Sequence, residues 1–335
     1  MDEKRSIFAV MKKFVLFIVK FVMILGLAYG GYHLLFWFLW QSDLCPDAYD
    51  QAYQRALLLQ YHALAEETRE PEVIVFGSSY VPFGIDTSVM EQRLGQPVQI
   101  LGVEASIGIP FLVDVLYETA KPGDTIVYML GKSNWYNEDF MVISAALESD
   151  KEVLNWYWNG KEDTLEGYRN KLIWRKLYAL FAGGLVEKIR TDISEKEQVY
   201  SLTSFDEKGN MTALREGNLI GTEVSPTDTL CFEDMELPTM DLLNEFSDWC
   251  AENDITFVIA YAMTIDGSLM ETEEELTEYH QQMTEYMHAD ILGVPQDYFL
   301  PVEQFYNHMA HLNSEGARAY SEILSEHLLE YESGH

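Results

Sequence analysis

Basic residues are scarce in this chain. There are 22 Lys plus Arg against 55 Asp plus Glu in 335 residues, a formal net charge of −33 at pH 7. A surface this negative repels phosphates, which argues against a nucleic-acid partner and suits a solvated exterior. Cysteine is scarcer still, with only Cys45, Cys231 and Cys250. No Cys-x-x-Cys and no paired Cys/His spacing is present, so no zinc site is indicated. Cys231 and Cys250 could pair in an oxidising compartment, but one cysteine would be left over. Unpaired small hydrophobes are an equally good reading. Charge is missing altogether from Phe21 to Trp40, twenty residues. That is long enough to cross a bilayer as a helix.

Lys4, Arg5, Lys12, Lys13 and Lys20 precede this run. By the positive-inside rule the N-terminus faces the cytoplasm and everything after Trp40 lies outside, with Phe36, Trp37, Phe38 and Trp40 as an interfacial belt. A cleaved signal peptide is the rival reading. The apolar core is long for one, and no small-x-small cleavage site follows Trp40, so an uncleaved single-pass anchor over residues 1–40 is favoured. Without those residues the remainder carries 17 basic and 53 acidic residues, because the first 40 hold five of the former and two of the latter.

What the chain does have is apolar content, 48%, ample for a core in one large domain or two small ones. Residues 41–70 read as a helical stalk, since Ala52, Leu57, Leu58, Tyr61 and Leu64 recur at helical spacing and Pro71 ends the run. From residue 71 on, short strands alternate with helices. Strands are expected at Val73–Phe76, Val98–Val103, Thr125–Leu130, Ile255–Ala260 and Ile291–Val294. Helices are expected at Thr87–Leu94, Ile109–Ala120, 235–252, Glu271–His288 and the C-terminus. That alternation implies a parallel sheet with helices on both faces. Residues 140–195 interrupt it with a helical insertion rich in aromatic and basic side chains, among them Trp156, Tyr157, Trp158, Arg169, Trp174 and Arg175. The insertion is either a surface for an anionic or glycan substrate or simple helix packing.

Val73–Phe76 runs into Gly77-Ser78-Ser79. A hydroxyl at the carboxyl end of a buried strand is where an open α/β sheet presents chemistry, so Ser79 is a candidate nucleophile. The plain alternative is a Ser/Gly turn capping the next helix. Near the other end lies Asn307-His308-Met309-Ala310-His311-Leu312-Asn313. A serine hydroxyl needs a neighbouring base, and His311 is the candidate. A metal site on His308-x-x-His311 lacks a third ligand at convincing spacing.

Gly-x-Ser after the first strand and x-x-His-Leu-Asn before the last helix together resemble the SGNH (GDSL-like) hydrolase superfamily, over roughly residues 70–330 without the insertion. The chain looks in particular like its membrane-anchored members that act on bacterial surface polymers, the lipoteichoic acid D-alanyl transfer type. The resemblance implies a three-layer, flavodoxin-like α/β fold over residues 71–335. It implies Ser79 as nucleophile and His311 as base. The family's oxyanion blocks map onto Ile100 to Ala105 and Gly131 to Asn134, so the backbone N–H of Ala105 and the side chain of Asn134 join the Ser79 N–H as donors. The last glycine of the first block is Ala105 here, and the second block is one residue too long. The family's aspartate, three residues before the histidine, is His308; some relatives place it four before, at Asn307. Either way the carboxylate is gone. The implied activity is esterase or O-acyltransferase chemistry on acyl esters of cell-surface glycans. It needs no cofactor and no metal. Its partners would be a polysaccharide or teichoic-acid-like polymer, the membrane and a membrane-bound acyltransferase. A non-catalytic glycan-binding or assembly factor on a decayed hydrolase fold is the alternative. In both cases the domain is extracytoplasmic.

Overall fold

A computed structural model describes residues 2–41, 52–131, 136–161, 171, 174, 177 and 198–334. The chain divides into two compact units: Met1–Ala48 with Gly160–Arg190, and Tyr49–Asn159 with Thr191–His335.

The first unit is built on helix α1, Asp2–Gln41. Its segment Met11–Phe38 has a mean hydropathy of 2.2, so it is long and apolar enough to cross a membrane. The apolar segment begins ten residues earlier than the charge-free run beginning at Phe21, and it carries Lys12, Lys13 and Lys20. A lysine can lay its methylene stem along an apolar helix and keep its ammonium at the interface. Tyr32, Phe36 and Leu177 are partly buried in one apolar cluster. Of the expected substrate-contacting residues of the insertion, Trp174 is 71% exposed. Arg169 and Arg175 lie outside the described residues.

The second unit begins with helix α2, Ala56–Ala65, inside the stretch expected to be a stalk. Here it is part of the folded unit: Ala56, Leu57, Leu58, Gln60 and Leu64 are buried. Strand β1, Val73–Phe76, is wholly buried, and the five-residue helix α3, Tyr80–Gly84, follows it directly. Helix α4, Thr87–Leu94, starts on the Asp86 side chain, which accepts from the Val89 N–H, and stops at left-handed Gly95. Strand β2, Val98–Leu101, and helix α5, Ile109–Thr119, come next, then strand β3, Thr125–Leu130.

Helices α6, Phe140–Ala146, and α7, Lys151–Trp158, are capped by Asp139 and Asp150. They belong to the core of this unit. The Phe140 and Tyr157 rings stack at 5.6 Å, and the Trp158 indole N–H donates to Ser144 Oγ at 2.9 Å. Tyr157 and Trp158 are therefore packing residues, as aromatic area buried this way dominates core energetics. The chain ends with helix α8, Leu237–Glu252, strands β4, Thr256–Tyr261, and β5, Thr264–Ile265, and helix α9, Glu273–Tyr286. Strands β6, Asp290–Leu292, and β7, Phe299–Leu300, follow, then the hairpin strands β8, Phe305–His308, and β9, His311–Leu312, and helix α10, Ser314–Gly334.

The main sheet is five-stranded and parallel, in the order β2-β1-β3-β4-β6. Its connections reverse direction at β1, where the chain first steps to β2 and then crosses to β3. Open α/β sheets bind ligands at such a switch point, beyond the carboxyl ends of the strands. Helix α5 packs between α2 and α8, while α10 packs against α3 and α4. The exposed edge of β2 is closed by the turn at 205–210, where Asn210 Oδ1 accepts from the Ile100 N–H. Gln60 bonds both the Gly102 N–H and the Gly209 carbonyl. An edge strand covered in this way has no free ladder to offer another chain. Cys231 and Cys250 do not pair and are both free. Cys250 is buried among apolar groups, and that burial pushes its thiol up to about 12.

Candidate active site

Ser79 sits at the switch point. It follows β1 after Gly77 and Ser78, and its backbone is already helical (φ −60°, ψ −22°) as the residue before α3. The first N–H groups of a helix have no intrahelical acceptor, so Ser79 presents both a hydroxyl and a backbone donor at the sheet's edge. Its carbonyl accepts from the Phe83 N–H at 3.3 Å, which fixes Phe83 one turn further on.

The loop after β2 presses on this turn. Gly77 N–H donates to the Leu101 carbonyl, and a Cβ on Gly102 would stand 1.9 Å from the Gly77 carbonyl oxygen. Ala105 opens the 3-10 turn Ala105–Ile107 three residues later, half-buried on the same loop. Asn134 lies outside the described residues.

His311 comes from the far end of the chain. It heads β9, and α10 anchors it: Asn313 Oδ1 accepts from the Gly316 N–H at 3.0 Å, while Asn313 Nδ2 donates to the carbonyls of Glu303 and Gly217. His311 Nε2 stands 3.0 Å from Ser79 Oγ, across 232 residues of sequence. His311 Nδ1 stands 3.0 Å from Asn307 Oδ1. Of the two candidates for the ring's partner, the structure therefore brings Asn307 to it and not His308. The His308 ring lies 5.2 Å away, and its Nδ1 accepts from the Ala310 N–H instead. The reason is the hairpin register. Phe305 pairs with Leu312 and His308 with His311, with an irregularity in between. Such a bulge re-aims a side chain that an even ladder would send to the opposite face.

Three residues that the motifs did not single out complete the surroundings. The Phe83 ring stacks on the His311 ring at 3.9 Å and 12°. Tyr200 places its hydroxyl 3.3 Å from His311 Nδ1 and accepts from Asn307 Nδ2 at 2.9 Å. Arg215 is buried; its guanidinium donates to the carbonyls of Leu312, Ala213 and Phe83, and lies 5.5 Å over the Phe83 ring. Burial, with His308 and the Arg215 cation close by, lowers the His311 imidazole to about 3. The ring is therefore neutral at physiological pH and offers a lone pair. Only Phe83 carries a sequence signal, at four residues from Ser79 on one helical turn. Among the described residues no group of three or more His, Cys, Asp or Glu is placed to hold a metal ion.

No family model and no curated protein matches this chain. Among solved structures it is similar to a protein from Streptococcus pneumonia provisionally described as a platelet activating factor, at 9% identity, covering 83% of this chain and 92% of that one, with a TM-score of 0.35. A likeness this weak says nothing about activity.

Proposed function

We propose that the protein is a membrane-anchored serine esterase or O-acyltransferase of SGNH type, acting on acyl esters of a cell-surface glycan or teichoic-acid-like polymer. The observation that carries this reading is the Ser79–His311–Asn307 chain, each link 3.0 Å. Ser79 Oγ attacks the acyl carbonyl carbon while its proton passes to His311 Nε2. The tetrahedral oxyanion is met by the N–H groups of Ser79 and Ala105, with the Asn134 amide as third donor. The imidazolium returns the proton to the departing alkoxide, and the acyl group stays on Ser79. A water or a glycan hydroxyl then gives its proton to His311 and attacks the acyl carbonyl, and the imidazolium returns that proton to Ser79 Oγ as the acyl–Oγ bond breaks, which makes the enzyme an esterase or a transferase. α1 would tether the domain outside the cell, with the basic residues before its apolar segment on the cytoplasmic side, beside a membrane-bound acyltransferase as donor partner.

A fluorophosphonate probe should label the purified protein, and Ser79→Ala should abolish labelling. Labelling unchanged in Ser79→Ala would place the nucleophile elsewhere. Absence of labelling in the wild type would favour the non-catalytic, glycan-binding reading, whose support is the neutral Asn307.

The same probe tests the base. His311 has a depressed pKa, so the neutral, proton-accepting form persists as pH falls, down toward about 3. Labelling should stay flat between pH 7 and pH 5. An imidazole at its ordinary value near 6.5 would lose roughly 25-fold over that interval. An acid limb centred near 6.5 would show that His311 is not held neutral.

A further inference from the structure

We infer that Tyr200 is a positioning residue that sets the direction of the Ser79–His311–Asn307 hydrogen-bond chain by fixing the Asn307 amide; this rests on the serine-hydrolase reading above. An aspartate in this place accepts only, so it forces the histidine to carry its proton on Nδ1. An asparagine can present either end. Two complete chains are then available. In one, Asn307 Oδ1 accepts from His311 Nδ1–H, and the Nε2 lone pair faces the Ser79 hydroxyl. In the other, Asn307 Nδ2 donates to His311 Nδ1, and Nε2–H points at Ser79 Oγ. The second chain cannot take the serine proton, and the wrong tautomer is what makes an aspartate-to-asparagine change so damaging in a triad.

Tyr200 breaks the tie. Its oxygen lies 2.9 Å from Asn307 Nδ2 and 3.3 Å from His311 Nδ1, while Asn307 Oδ1 lies 3.0 Å from that same Nδ1. With the productive orientation, two donors, Nδ1–H and Nδ2–H, face two acceptors, Oδ1 and the phenol oxygen. With the reversed orientation, the phenol would donate to Oδ1, and its lone pairs would face the bare lone pair of Nδ1. That contact is unfavourable in a half-buried site. The phenol is held there by ring contacts to Tyr53 at 5.4 Å and Phe83 at 5.7 Å, and by the bridge between Ala52 and Ser201. A hydroxyl that reads the amide is needed only because the carboxylate is missing.

The test is the tautomer of His311, read from ¹⁵N-histidine NMR of the full-length protein and assigned by difference with His311→Gln. The wild type should show Nδ1–H. Tyr200→Phe keeps the ring and should give a large Nε2–H population, with Ser79 labelling falling by about tenfold or more, since one discriminating hydrogen bond is lost. In the Asn307→Asp background, Tyr200→Phe should leave Nδ1–H intact and change labelling by no more than about threefold, because a carboxylate has no amide to turn. A pure Nδ1–H signal in Tyr200→Phe would overturn the inference. So would an equal loss in both backgrounds, which would mean Tyr200 only supports packing. A wild type that shows the tautomer shift on Tyr200→Phe yet is never labelled would overturn the hydrolase reading and leave the Tyr200 assignment standing.

Discussion

Asn307→Asp is expected to raise the rate of Ser79 acylation by a small acyl ester at pH 7, by roughly ten- to a hundredfold, while His308→Asp does not. The side chain at 307 already sits 3.0 Å from His311 Nδ1, whereas His308 Nδ1 is committed to the Ala310 N–H. A carboxylate at 307 would stabilise the imidazolium that forms as Ser79 gives up its proton. That ion is unusually costly here, since burial and the neighbouring Arg215 cation lower the imidazole to about 3. Native triads that lose this carboxylate lose ~10⁴-fold. The gain here is smaller because the new charge is partly buried, with the Tyr200 hydroxyl and His311 N–H as its close donors. The substitution should also raise the His311 pKa, so an acid limb should enter the accessible pH range. A faster enzyme with a higher acid limb is the signature to look for. His311→Ala should remove activity altogether. If neither Asp substitution changes the rate and His311→Ala is harmless, the Ser-His mechanism is wrong for this protein.

Gly102→Ala should be the most damaging conservative change to the fold. The position has φ +146°, and an added methyl would stand 1.9 Å from the Gly77 carbonyl oxygen and 3.0 Å from the Gly77 carbonyl carbon. Both obstacles are backbone, so nothing can rotate aside. Relief requires moving the loop that carries Ser79 away from β2, against the Gly77 N–H to Leu101 bond. A loss of roughly 4 kcal/mol is expected, at the upper end for single substitutions, together with loss of labelling. Gly95→Ala is the control. Gly95 also has positive φ, at +73°, but faces open space, so it should cost only about 1 kcal/mol. Thermal or urea unfolding of the two variants measures the difference. Equal destabilisation would mean the close approach to Gly77 is not what makes Gly102 necessary.

Much of the α/β framework was legible because buried parallel strands are short, apolar and β-branched. Val73–Phe76 and Thr125–Leu130 read the same in sequence and structure. Helix α3 was not legible. Five residues around Pro82 are too few for a 3.6-residue period to show. What α2 packs on was not legible for a related reason. An apolar helical stripe says that a helix packs, but not on what, and α2 packs on β2 and α5.

For the site, the sequence determined the chemistry available: a serine after the first strand, a histidine before the last helix, and no carboxylate three or four residues ahead of it. It also determined the long apolar helix at the N-terminus, since length and hydropathy alone decide that. Tertiary structure alone decided which neighbour serves the histidine, because a bulge in a four-residue hairpin strand outweighs the counting rule that favours position 308. It alone brought Tyr200, Phe83 and Arg215 around the imidazole. Tyr200 and Arg215 belong to no motif, and Phe83 is marked only by its spacing from Ser79. They act through hydrogen bonds, ring contact and buried charge, and such interactions depend on separations in space that spacing along the chain does not encode.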